Sequence, residues 1–270
     1  MTTSAHHRPE PSALGGQLRH RRALSRMSQL DLATRAGTTQ RHLSFIESGR
    51  SLPGRAMVVR LAESLGLTLR ERNALLLSAG YAPAYPESPL ADGALRPVRE
   101  ALDAILTGHL PYPALVAGPR GELVAANAAF GLLTEGADPD LLAPPVNVLR
   151  LALHPRGMAP RVANLAAWGR HIVENVRGRA RAHPDPLLDE LARELTGYLP
   201  AEPPGPDHLG FAVPLHLRTA EGDMRLLTTL TSFATAVDVT LAELHLEAFL
   251  PADEATASLL RRRATEARAT

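Results

Sequence analysis

The chain of 270 residues has no cysteine, no lysine, few aromatic side chains (4%) and no long apolar run. Without cysteine there can be no disulfide scaffold, no iron–sulfur cluster and no thiolate zinc site, which suits a reducing compartment. No stretch approaches the roughly 18 uninterrupted apolar residues of a membrane span, and no charged segment leads into an apolar run at the start. A cytoplasmic protein with no membrane partner is therefore expected. All 29 basic side chains are arginine, which reads as genome composition and excludes nothing. Catalytic signatures are missing too: there is no G-x-S-x-G elbow, no phosphate loop, no G-x-G-x-x-G after a strand and no H-E-x-x-H. Neither an enzyme nor a cofactor is expected.

What is present begins at Ser28. Ser28 with Asp31 three residues on forms a capping signal, Leu30, Leu32 and Ala33 are apolar positions, and Gly37 suits the left-handed end of a helix. A second helix starts from Thr39. Its Leu43 and Ile46 are three apart and point to a core, which leaves Gln40, Arg41 and Ser44 on the outer face near the N-terminal end. Two further helices are predicted, over 55–66 and from the Thr68-x-x-Glu71 capping box to Gly80. Charge follows the same division. Residues 1–80 hold 12 arginines and 5 acids, a net of +7, whereas the remaining 190 residues carry a net of −6. A basic head on an acidic body is the electrostatic footprint of a nucleic-acid module joined to something else.

Over roughly residues 13–80 the pattern resembles the XRE family, the Cro and phage-repressor type of helix-turn-helix. The resemblance implies that Gln29 braces the DNA backbone and the recognition helix, that Thr39, Gln40 and Arg41 lie where bases are approached, and that Glu47-Ser-Gly49-Arg50 closes the recognition helix. It also implies a structural ion pair between Arg22 and Glu47. The chemistry agrees: Gln suits adenine, Arg suits guanine, and Thr39 and Arg50 suit the phosphate backbone. Base reading is thus assigned to Gln40, Arg41 and Ser44, on double-stranded DNA with a pseudo-palindromic operator. One such helix offers few base contacts, so a homodimer is expected.

Residues 1–12 lack periodicity and read as a disordered lead-in, and the proline-rich 81–94 reads as a linker. The body, 95–252, mixes helix and strand. A helix over Leu95–Leu106 precedes a hairpin, Ala114–Ala117 and Glu122–Ala125 around Gly118-Pro-Arg-Gly121. Asn127 is expected to cap a short helix through Phe130. Helices are expected at Asn147–Leu153, Val162–Val176 and 186–199, then strands at Phe211–Leu217, Met224–Phe233 and Val237–Phe249. The tail 253–270 reads as helix. Glu243, His245 and Glu247 alternate as on the solvated face of a strand, so no metal site is assigned, and His109, His154 and His183 are expected to face water.

This order is similar to a PAS-like sensor. Through Val124-Ala-Ala-Asn127-Ala-Ala-Phe130, Asn147-Val-Leu-Arg150-Leu and Trp168 it resembles the MmyB-like ligand-binding domain that follows an XRE head in many regulators. The resemblance implies a small apolar ligand, fatty-acid-like in some members, between sheet and helices. The expected fold is thus a five-helix all-α head and an α+β PAS-like body, its antiparallel sheet covered by helices. A pocket is expected among Phe130, Leu149, Trp168, Phe211, Val213 and Leu215. The expected function is a ligand-responsive transcriptional regulator; the alternative is a regulator whose body only dimerises or binds a protein partner, as an antitoxin does.

Overall fold

The computed structural model describes residues 13–201, 212–233 and 236–269. The lead-in 1–12 and Phe211 lie outside the described residues. The described residues divide into two compact units, one of 13–89 with 236–242, the other of 90–201 and 212–233 with 243–269.

The first unit begins with α1 (Ala13–Leu24), α2 (Gln29–Arg35), α3 (Gln40–Glu47), α4 (Arg55–Ser64) and α5 (Leu69–Ser78). Local chemistry sets their ends. The Ser28 hydroxyl accepts from the Asp31 N–H while the Asp31 carboxylate accepts from the Ser28 N–H, and Thr68 and Glu71 repeat this capping box at α5. Gly37 ends α2 at φ +62°, where the Thr38 N–H reaches back to the Ala33 carbonyl at 2.9 Å. The apolar faces of the helices meet in one core in which Leu18, Leu32, Leu43, Ile46, Leu61, Leu75 and Leu76 are at most 1% exposed. Leu30 points outward instead, at 57%.

After α5 the chain is pinned rather than loose. Asn73 donates to the Tyr85 carbonyl and accepts from the N–H groups of Ala84 and Tyr85, and the Tyr81 hydroxyl donates to the Pro53 carbonyl. Within the same unit, the buried Asp238 carboxylate accepts from the Ser88 N–H at 3.1 Å and the Val239 N–H donates to the Pro86 carbonyl at 2.8 Å.

The second unit contains α6 (Arg96–Gly108), β1 (Ala114–Ala117), β2 (Leu123–Ala126), α7 (Gly131–Thr134), α8 (Pro139–Leu142), α9 (Val148–Leu153), α10 (Leu165–Ala182), α11 (Pro186–Gly197), β3 (Leu215–Thr219) and β4 (Gly222–Ser232). Along the chain the short helix α12 (Val239–Glu243) follows, its residues 239–242 belonging to the first unit, and then β5 (His245–Pro251) and α13 (Glu254–Ala269) of the second. The five strands form one antiparallel sheet in the order β2-β1-β5-β4-β3. Alternation assigns its faces. Leu115, Ala117, Leu215, Leu217, Met224, Leu226 and Phe249 join a core with Leu133 of α7, Val148 and Leu153 of α9, Trp168, Val173 and Val176 of α10, Leu191 and Leu195 of α11 and Leu259 and Leu260 of α13. The intervening Ala114 and Val116 are also fully buried, and α6 lies against β1. β1 is therefore covered on both sides, which explains its continuous apolar run.

Several expectations are corrected. The strand expected from Val237 begins only at His245: the Asp238 carboxylate accepts from the Thr240 N–H at 2.8 Å and opens α12, so Glu243 sits on a helix. The long helix starts at Leu165, not Val162, which instead forms an isolated bridge with Leu217. Asn127 makes no side-chain cap; it is buried, accepts from the Ala114 N–H and donates to the Leu106 and Tyr112 carbonyls. His154 does not simply face water, since its ring meets that of Tyr198 edge-on at 4.9 Å. His245 is buried, with Nε2 3.5 Å from the Glu247 carboxylate.

Candidate nucleic-acid interface and ligand domain

The geometry of the head centres on Glu47, the last residue of α3, which is 1% exposed. Arg22 of α1 donates from Nε to Oε1 at 2.7 Å and from Nη2 to Oε2 at 3.0 Å, a two-pronged pairing of the kind planar guanidinium favours. Gln29, the first residue of α2, donates to Oε2 at 2.8 Å. Arg19 donates to the Glu47 carbonyl at 3.1 Å. Burial by itself pushes the Glu47 carboxyl up; the hydrogen bonds from Arg22 and Gln29 and the charges of Arg22 and Arg19 outweigh it and hold the group below its usual range. The bond to Glu47 raises Arg22 in turn. α1 can approach this closely because Gly15 has no side chain: a Cβ there would lie 2.6 Å from the Glu47 carbonyl oxygen. Three helices are thereby locked to one carboxylate, and α3 is held at a defined angle.

Locking the C-terminal end of α3 leaves its N-terminal end outward. Gln40 and Arg41 are exposed, Ser44 is half-buried, and Leu43 and Ile46 are sealed in the core. Thr39 is exposed and caps α3, its hydroxyl accepting from the His42 N–H at 3.1 Å. Arg50, also exposed, follows Gly49, which turns the chain at φ +74°. Gln29 is half-buried, its amide committed to Glu47. One residue of this face was missed in the sequence. Phe45 lies one turn after Arg41, whose guanidinium carbon sits 5.4 Å from the ring centroid. The helical spacing of Arg41 and Phe45, opposite Leu43 and Ile46, was a usable signal.

In the second unit, Phe130, Leu149, Trp168, Val213 and Leu215 all contribute to the same core cluster, with Trp168 only 5% exposed and Leu215 fully buried. Leu149 packs over the hairpin turn, its Cγ 2.8 Å from where a Cβ on Gly121 would stand. A separate cleft of about 590 Å³ lies among Leu110, Ala128, Leu132 and Leu260, with Arg261 and Arg263 on its wall. Arg263 bonds to Glu135 and Glu221. On the helix side of the sheet, Arg179 has its pKa lowered by burial, against the opposing charges of Glu247 and Glu122. Among the described residues no group of three His, Asp or Glu side chains is placed to hold a metal. No described helix is long and apolar enough to cross a membrane.

A helix pair presenting one N-terminal face, joined to a curled sheet backed by helices, defines a DNA-binding regulator with a PAS-like sensory domain. Family comparison agrees for both parts. Residues 13–75 match the helix-turn-helix domain, and residues 98–262, more than half of the chain, match the MmyB-like transcription regulator ligand binding domain. The chain belongs to this MmyB-like regulator family and is a DNA-binding transcription regulator. A comparison with curated proteins finds no match.

Proposed function

We propose that the protein is a sequence-specific regulator that binds a pseudo-palindromic operator as a homodimer. α3 enters the major groove, Gln40, Arg41 and Ser44 meet base edges, and Gln29, Thr39 and Arg50 hold the phosphate backbone. The observation that carries this reading is the exposed N-terminal face of α3 set above the bracket that half-buried Arg22 and Gln29 make with the buried Glu47. Such a bracket orients the helix before DNA arrives, so little ordering is left to be done on binding. The test is a set of binding curves on a duplex enriched from a random pool and on its scrambled sequence. Phosphate contacts alone would give equal affinities with a steep salt dependence, whereas base reading separates the two.

The body, in this proposal, supplies the dimer contact and holds a small apolar, fatty-acid-like molecule among Phe130, Leu149, Trp168, Val213 and Leu215. Occupancy changes DNA affinity only if the ligand prefers one of two arrangements of the dimer. A second reading is supported by the burial of Trp168 and Leu215 in one packed cluster: the body then only dimerises or docks a protein partner. Native mass spectrometry of the purified chain separates the two. A dimer carrying a retained small molecule favours sensing; a bare dimer that titrated dodecanoic acid leaves unchanged in mass and melting temperature favours the interaction module.

A further inference from the structure

α3 places an aromatic ring where the head's core does not need one. Its inward positions are Leu43, Ile46 and Glu47, at 0–1% exposure, and they are packed by the other helices. Phe45 is only half-buried and is not among the apolar residues that pack against that core. Its neighbour is the guanidinium of Arg41, one turn earlier, 5.4 Å from the ring centroid. A single half-exposed ring elsewhere on the surface would need no account. Here it lies one turn along from the exposed Arg41 on the same side of a helix whose far end is fixed by Glu47.

We infer that Arg41 and Phe45 act as one reading unit for a guanine with a thymine beside it. The chemistry of each partner is specific. Guanine offers O6 and N7 to a guanidinium in the major groove, and thymine alone among the DNA bases presents a methyl group there, for which an apolar side chain is the matching contact. The stacking also prepares the arginine. A guanidinium held over a ring face by cation–π attraction has fewer orientations to lose when it meets the guanine. A ring beside that guanidinium is near enough to meet the methyl of a base stacked on the guanine. Phe45 is thus a specificity residue for the methyl group, and it also positions Arg41.

This inference rests on the proposed entry of α3 into the major groove, and the experiment separates the two. The full chain is used to enrich binding duplexes from a random pool, and the thymine beside the guanine in each half-site is then replaced by deoxyuridine, which deletes only the methyl. The expected result is a half-site with adjacent thymine and guanine and an affinity about fourfold lower per deoxyuridine, the effect of one buried methyl. Phe45→Ala should bind both duplexes alike, and Phe45→Leu, which keeps an apolar side chain, should retain part of the preference. Unchanged melting of either variant shows that the head is folded. A motif without thymine beside guanine, or equal wild-type affinity for thymine and deoxyuridine duplexes, overturns the inference while leaving the groove placement of α3 intact. A pool that enriches no motif defeats that placement and this inference together.

Discussion

Glu47→Ala tests whether the head is organised around one carboxylate. The change removes three side-chain hydrogen bonds, two from Arg22 and one from Gln29, at a group 1% exposed. Breaking a buried pair by deleting one partner costs about 3–5 kcal/mol, because the remaining charge is left uncompensated. Here the cost is somewhat smaller. Arg22 keeps 16% of its side chain in contact with solvent and still donates to the Met27 carbonyl at 2.9 Å, so about 2–4 kcal/mol is the working figure. For a domain of some 70 residues each kcal/mol moves the midpoint by about 4–8 °C, so a fall of at least about 8 °C is expected.

The assay is thermal unfolding of the full chain by far-ultraviolet circular dichroism, with Trp168, the chain's one tryptophan, reporting the second unit through its fluorescence. The dichroism midpoint should fall while the fluorescence midpoint stays. The pH dependence has a definite sign. The folded Glu47 pKa lies below its unfolded value, so its contribution is present above the usual carboxylate range and is lost as pH falls through the depressed folded value. Between neutral and acidic pH the wild-type and Glu47→Ala midpoints should therefore converge. A shift under about 2 °C at neutral pH, or a gap that widens on acidification, would refute the view that Glu47 stabilises the head as a paired anion.

Other outcomes follow from individual contacts. Arg41→Ala should cost about 1–3 kcal/mol per half-site on the enriched duplex with little change on scrambled DNA, as measured by fluorescence anisotropy. Asn127→Ala leaves the Ala114 N–H and the Tyr112 carbonyl without their side-chain partner, the Leu106 carbonyl keeping the His109 N–H, and should destabilise the second unit by about 2–4 kcal/mol; an unchanged Trp168 melting curve would mean that water replaces the amide. Gly121→Ala combines φ +86° with a close approach to Leu149 and should cost about 1–3 kcal/mol in the same assay, with Leu149→Ala in the double variant recovering part of the loss.

Legibility in the sequence followed the range of the forces involved. The head's helices are set by neighbours three and four residues apart: Ser28 and Asp31, Thr68 and Glu71, Leu43 and Ile46. Such patterns are visible in any one-dimensional window. The hairpin β1–β2 was legible for the same reason, its turn chemistry lying at Gly118 to Gly121. Phe45 was given no role in the sequence; its face is decided by Leu43 and Ile46 beside it, which the core takes. The five-residue helix at Val239–Glu243 was missed although Asp238 is a good N-cap, because Val237, Val239 and Leu241 also alternate as a strand would.

That last ambiguity shows what a short window cannot decide. A stretch this short can serve as strand or helix, and the choice falls to whatever satisfies its backbone. In the structure the Asp238 carboxylate accepts from Thr240 and Leu241 within its own segment and from Ser88, 150 positions away in sequence. Burial raises the Asp238 pKa, and these bonds more than offset it, so the carboxylate is held as an anion and its folded pKa lies below the usual value. The partner that completes the cap belongs to the proline-rich segment after α5. That segment looked like an unstructured connection because proline cannot continue a helix, yet proline also leaves the neighbouring carbonyls and N–H groups seeking partners outside their own segment. Pro86 and Ser88 find them at Val239 and Asp238. The two segments that were hardest to assign from sequence are therefore the two that specify each other.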